Sequence, residues 1–139
     1  MTIEKITESA EELIEKYRND PKVAVLLAST FVHARLRTML RAYLRQQKKT
    51  NVSVVNEGVD LKPTLKIAYA LDVITFSEFS RLSDLAVKRN NIAHKSKFWR
   101  KTKQKDEKAY LKLAMFATGF LRSTGSFKLI NKRLRSSHH

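Results

Sequence analysis

No cysteine occurs among the 139 residues. Disulfides, thiolate metal sites and cysteine nucleophiles are therefore excluded, and nothing points to an oxidising compartment. Three glycines and two prolines are too few for a turn-rich β fold. Leu, Ala, Lys, Arg and Glu are abundant instead, so the composition favours long helices and an all-α fold. No apolar run approaches the roughly 20 residues of a membrane span. The opening Met1-Thr2-Ile3-Glu4-Lys5 carries charge where a signal peptide needs an apolar core. The expected location is cytoplasmic, with no membrane partner. HExxH, glycine-rich phosphate loop and Ser/His/Asp patterns are lacking too, and acids are sparse beyond the first helix. Metalloprotease, nucleoside triphosphatase and two-metal nuclease readings lose their support, and no metal or cofactor is expected.

What is present is positive charge. The chain carries +15 overall. Residues 1–20 hold six acids and three bases, so the remainder has 25 bases against seven acids. Such a field attracts polyanions, and RNA is the expected partner; an acidic partner protein is the alternative. With 42% hydrophobic residues the chain can build one core and is short for two domains.

Apolar spacing divides the chain into about five helices. The first is expected from Thr2 to Arg18, with Ile3, Ile6, Ala10, Leu13, Ile14 and Tyr17 inward. Asn19-Asp20-Pro21 reads as a break and restart, with Asp20 as N-cap and Pro21 at the first helical position. The second helix, Pro21 to Lys48, is apolar around most of its first half and should be central. Its second half carries Arg35, Arg37, Arg41 and Arg45 without an acid, which reads equally as a solvated face or as an RNA-phosphate stripe. Residues 49–62 read as a loop, with an extended piece at Val52-Ser53-Val54-Val55. A short helix follows from Pro63 to Ile74. Thr75 or Ser77 caps a fourth helix with Phe76, Phe79, Leu82, Leu85 and Ala86 on its apolar side. The segment from Lys95 to Lys105, with Lys95, Lys97, Arg100 and Lys101 around Phe98 and Trp99, reads as a cationic loop that guides RNA. A fifth helix runs from Asp106 to Leu121. The domain is expected to cover residues 1–123, followed by a basic, partly disordered tail over 124–139.

The fourth helix ends on Arg89-Asn90-Asn91-Ile92-Ala93-His94. Metal-free RNA cleavage needs a base for the 2′-OH proton, an acid for the leaving 5′-oxygen, and positive charge on the phosphorane-like transition state. Histidine suits the proton transfers, and arginine holds phosphate through a planar fork of donors. The expected catalytic set is Arg89, Asn90 and His94. Spacing alone is a weak signal, since Arg133 and His138 repeat it. The other reading makes Asn90 or Asn91 a helix stop, Arg89 an ion-pair partner and His94 a ligand of the last carbonyls. At about 100° per residue, Arg89 and His94 stand roughly 140° apart on a helix, while Asn90 and His94 nearly align. Arg89 and His94 converge if the helix unwinds before His94, or if two copies of the motif meet across a two-fold axis. His33, on the core-rich second helix, reads first as a structural histidine and second as a proton donor.

Arg89-Asn90-x-x-Ala93-His94, with Leu61-Lys62-Pro63-Thr64-Leu65-Lys66-Ile67-Ala68-Tyr69-Ala70-Leu71 and Leu27-Ala28-Ser29-Thr30-Phe31-Val32-His33-Ala34-Arg35-Leu36 before it, resembles the HEPN superfamily (higher eukaryotes and prokaryotes nucleotide-binding). The likeness is nearest to its mannitol-repressor-like branch and covers residues 21–121. It implies an antiparallel helical bundle that forms a homodimer with paired motifs at the interface. It also implies a metal-independent endoribonuclease of a toxin–antitoxin or phage-defence system, with an antitoxin or other regulatory protein as partner. Arg89 and His94 would then cleave RNA, assisted by Asn90. The mannitol-repressor-like relatives imply the alternative, a regulatory protein that binds without chemistry. The tyrosine that some family toxins carry two positions after the histidine is Ser96 here, so regulation by nucleotide addition is not expected.

Overall fold

The computed structural model describes residues 2–48, 59–94 and 103–136. These form six helices and, among the described residues, no strand: α1 (Ile3–Lys16), α2 (Pro21–Gln46), α3 (Leu61–Ala70), α4 (Phe76–Ala93), α5 (Gln104–Ser123) and α6 (Phe127–Ser136). The all-α expectation holds. The proposed extended piece at residues 52–55 lies outside the described residues.

Local chemistry explains the boundaries. The Thr2 hydroxyl accepts from the Lys5 backbone N–H at 3.2 Å and opens α1. Pro21 begins α2, but the Asp20 side chain makes no capping bond. The third helix starts at Leu61, two residues before Pro63, because a missing N–H is harmless anywhere in a first turn. It ends at Ala70 and not at Ile74. Asp72 turns left-handed at φ 58°, and its N–H and that of Val73 donate to the Tyr69 and Ala68 carbonyls. Those paired bonds form a Schellman stop. Val73 and Ile74 beyond it are buried. Thr75 then opens α4 with a full capping box: its hydroxyl accepts from the Glu78 N–H at 3.1 Å, and the Glu78 carboxylate accepts from the Thr75 N–H at 2.9 Å.

Helix α2 is the hub and packs against all five others. Ala24, Val25, Ala28, Val32, Leu36, Met39 and Leu40 are fully buried along it. Each of its larger side chains contributes about 1.5–3 kcal/mol of burial. Contrary to the sequence expectation, α2 is long and apolar enough to cross a membrane, with mean hydropathy 1.3 over its most apolar window. Half of that window is inside the bundle, as befits a core helix. Around this hub α4 packs on α3 and α5, and α1 lies across α2 and α5.

Two expectations fail at the periphery of the core. The tail does not remain irregular: α6 buries Ile130 and Leu134 completely, and Arg133 bonds both Glu78 carboxylate oxygens at 2.6 and 2.9 Å. Ser126 caps this helix by accepting from the Leu129 N–H at 3.1 Å. Phe76, expected in the core, is 67% exposed, and Leu13 is also on the surface.

Arg35 is the clearest correction. The sequence reading placed it among RNA contacts, yet it is 4% exposed and faces the core. Its Nη1 donates to the Leu121 carbonyl at 2.7 Å and to the Thr124 carbonyl at 2.8 Å, while Nη2 donates to the Thr7 hydroxyl at 2.7 Å. Burial lowers its pKa to about 10, so it remains charged at neutral pH. Arg35 binds α1, α2 and the end of α5 together, its guanidinium taken up by acceptors of the protein itself.

Candidate functional site

The RNNIAH segment forms the last turn of α4, which stays helical through Ala93. Arg89 and Asn90 are exposed, and Arg89 Nη1 donates to Asn90 Oδ1 at 3.2 Å. His94 caps the helix in an extended conformation, its N–H donating to the Asn90 carbonyl at 3.3 Å. Its side chain is on the surface.

Arg89 and Asn90 open onto a cleft of about 510 Å³ between three helices. Ser29, Thr30, His33 and Arg37 come to it from α2, Lys62, Pro63 and Lys66 from α3, and Ala86 from α4; Asp60 and Leu61 form its edge. Helical period explains the convergence. Positions 29, 33 and 37 of α2 are four apart, as are 62 and 66 of α3 and, nearly so, 86 and 89–90 of α4. Four permanent cations thus face one acid. A volume of this size is enough for a phosphate with its sugar, and the two arginines can present planar donor forks to an anion there.

His33 joins Arg89 and Asn90 in the cleft, a meeting that sequence reasoning does not anticipate. Its Nε2 lies 3.3 Å from the Thr64 hydroxyl, which in turn donates to the Asp60 carbonyl at 2.7 Å. The ring is half-buried and oriented by this chain of contacts. Burial first, and the charge of Arg37 next, hold its pKa below the ordinary histidine value. A backbone hydrogen bond at Val59 and the charge of Asp60 push upward, while Arg89 adds to the lowering. The result favours a neutral imidazole beside two guanidinium groups, a combination able to take a proton while a phosphate is held. The available signal was the four-residue register of His33 with Ser29 and Arg37.

The other expected residues fall into separate groups. Arg37 joins the cleft. Arg41 and Arg45, further along α2, do not line it. His94 lies at the end of the same helix as Arg89 without lining the cleft, so within one chain the cleft gathers Arg89, Asn90 and His33 while His94 stays outside it. Lys95, Lys97, Arg100 and Lys101 lie outside the described residues. A larger groove between α4 and α5, rimmed by Arg81, Lys88, Lys108 and Lys112, contains no histidine. Among the described residues no three His, Asp or Glu side chains gather as a metal site requires.

Comparison with protein-family models, curated proteins and solved structures finds no match for this chain. The functional reading therefore rests on the cleft itself.

Proposed function

We propose that the protein is a HEPN-like, metal-independent endoribonuclease, and that the cleft shared by Arg89, Asn90, Arg37 and His33 is where it takes hold of RNA. The observation that carries this reading is a neutral-favoured histidine beside two arginines in a cleft of nucleotide size. Arg89 and Arg37 grip the scissile phosphate, and Asn90 fixes the Arg89 fork through the 3.2 Å bond. His33 Nε2 exchanges the Thr64 hydroxyl for the ribose 2′-OH and takes its proton as that oxygen attacks phosphorus, while the ring stays bonded to the Val59 backbone through its other nitrogen. The 5′-oxygen then leaves with a proton from His94 of a second copy, giving a 2′,3′-cyclic phosphate and a 5′-hydroxyl. Positive charge on the crowded phosphorus supplies the electrostatic part of catalysis. The surface position of His94 at the end of α4 supports a homodimeric arrangement in which each motif completes its neighbour's site.

Incubating purified protein with mixed RNA in EDTA tests the reading. Cleavage is expected for wild type, and a loss of at least about 100-fold for Arg89→Ala, for His33→Gln and for His94→Ala. DNA, which lacks the attacking hydroxyl, should stay intact. Cleavage that needs Mg²⁺, or that survives Arg89→Ala, overturns the mechanism.

The location of His94 outside the cleft favours a second reading, a regulatory protein that binds RNA without cutting it. Salt-sensitive RNA binding with no product after long incubation is its signature. The toxin or phage-defence setting belongs to the first reading, and toxicity on expression, relieved by an acidic partner protein, is its cellular counterpart.

A further inference from the structure

The cationic face of α3 continues past the cleft onto an aromatic patch. Lys62 and Lys66 line the cleft, and Tyr69 follows them at helical spacing, within about 20° of Lys62 around the axis and about 10 Å along it. Tyr69 is 37% exposed. Its ring stacks on Phe79 at 4.7 Å with an interplanar angle of 16°, and Phe76 leans on it at 6.0 Å and 58°. Phe79 is half-buried and supports Tyr69 from below. Phe76, fixed at the first position of α4 by the Thr75 capping box, presents most of its ring to solvent.

An exposed phenylalanine loses burial energy, and a residue so placed does nothing for the core. Its value lies in the preformed surface: two rings held rigidly by a helix start and a stacked neighbour, at the end of a row of lysines. Unpaired nucleobases stack on such rings whatever their sequence, because every base has a π-face, whereas paired bases have theirs occupied.

We infer that Phe76 and Tyr69 form a stacking subsite for an unpaired base a few nucleotides along the strand from the phosphate held in the Arg89 cleft, about 20 Å away along α4, with Lys62 and Lys66 guiding the backbone between them. The inference rests on the RNA reading proposed above and narrows its substrate to single-stranded RNA. Bases in a duplex do not reach the subsite, so paired stems should bind through phosphate contacts alone.

The test uses an uncleavable 2′-O-methyl RNA ten-mer with one 2-aminopurine at successive positions, titrated with the full chain. Wild type should quench the fluorophore at one or two neighbouring positions. Phe76→Ala should bind about five- to tenfold more weakly and lose that quenching, and Phe76→Trp should restore both. Arg89→Ala should weaken binding while leaving the quenching of the bound fraction intact. Circular dichroism of all three variants should match wild type, since Phe76 and Arg89 are exposed. Unchanged affinity and quenching in Phe76→Ala overturn the subsite while leaving the RNA reading in place. A Phe76→Ala protein that changes its sedimentation but not its RNA binding shows a second copy on this patch and also overturns it. Failure of wild type to bind the oligonucleotide defeats the RNA reading and the subsite with it.

Discussion

The Arg35 guanidinium donates to both the carbonyl of Thr124 at 2.8 Å and its hydroxyl at 3.1 Å, joining the middle of the central helix to the end of α5 across 89 residues of sequence. Truncating this side chain takes the donor from the Thr124 carbonyl and leaves the Leu121 carbonyl with only the Thr124 hydroxyl at 3.4 Å, while the Thr7 hydroxyl keeps its bond to the Ile3 carbonyl. Arg35→Ala should cost about 2–5 kcal/mol of stability and Arg35→Lys about 1–3, because one ammonium is unable to serve three directions. Urea unfolding measures both; a midpoint equal to wild type contradicts the assignment.

The pH response of stability should carry the mark of His33. Its folded-state pKa lies below the ordinary value of 6.5, so the unfolded chain takes up a proton first as pH falls. The His33 contribution to stability is therefore complete above about pH 6.5 and is lost as pH drops through the folded pKa. His33→Gln should flatten the urea midpoint between about pH 7 and 5 relative to wild type. A bound phosphate partly offsets this lowering, so RNA affinity should rise as pH falls through the His33 titration, and this rise should disappear in the same variant.

Salt dependence separates the cleft from the wider basic surface. With RNA in the cleft as proposed, Lys66→Ala should lower the slope of log binding constant against log salt by about one. Arg45→Ala, outside the cleft on α2, should change it far less. Equal slopes for the two variants would mean that RNA follows a different path.

The last helix should matter as much as the middle of the chain. Ile130→Ala creates a cavity at a fully buried site and should cost about 2–5 kcal/mol. Glu78→Gln weakens both the capping box and the paired contact with Arg133, and should cost about 1–2 kcal/mol. Thermal melting of both variants checks this. An Ile130→Ala protein that melts with wild type would return the segment to the status of a loose tail.

Much of this architecture was legible because apolar spacing reports helical faces. Ile3, Ala10 and Ile14 on α1, and Leu82, Leu85 and Ala86 on α4, are buried as their period implies. Charge misled where it contradicted period. Arg35 keeps register with Ala28, Val32, Met39 and Ala42, all buried, so the spacing itself put it inside. Its acceptors, Thr7 and Thr124, lie too far away in sequence for any local pattern to reveal. The same conflict hid α6, where Phe127, Ile130 and Leu134 keep a three- and four-residue rhythm among the cations. Phe76 failed in the opposite sense: its spacing fits the apolar stripe, but at the first position of α4 its ring leans on Tyr69 and remains 67% exposed. The meeting of His33 with Arg89 depends on how α2 and α4 pack, which no window along one chain contains.

The buried Arg35 also orders events during synthesis. When α1 and α2 have emerged from the ribosome, this cation has the Thr7 hydroxyl for company but lacks the carbonyls of residues 121 and 124. Sinking it between two helices at that stage is unfavourable, so the nascent half-bundle is held ajar until its late-arriving acceptors appear. The placement of α2, on which the cleft between α2, α3 and α4 depends, is therefore completed only when the end of α5 has docked on Arg35.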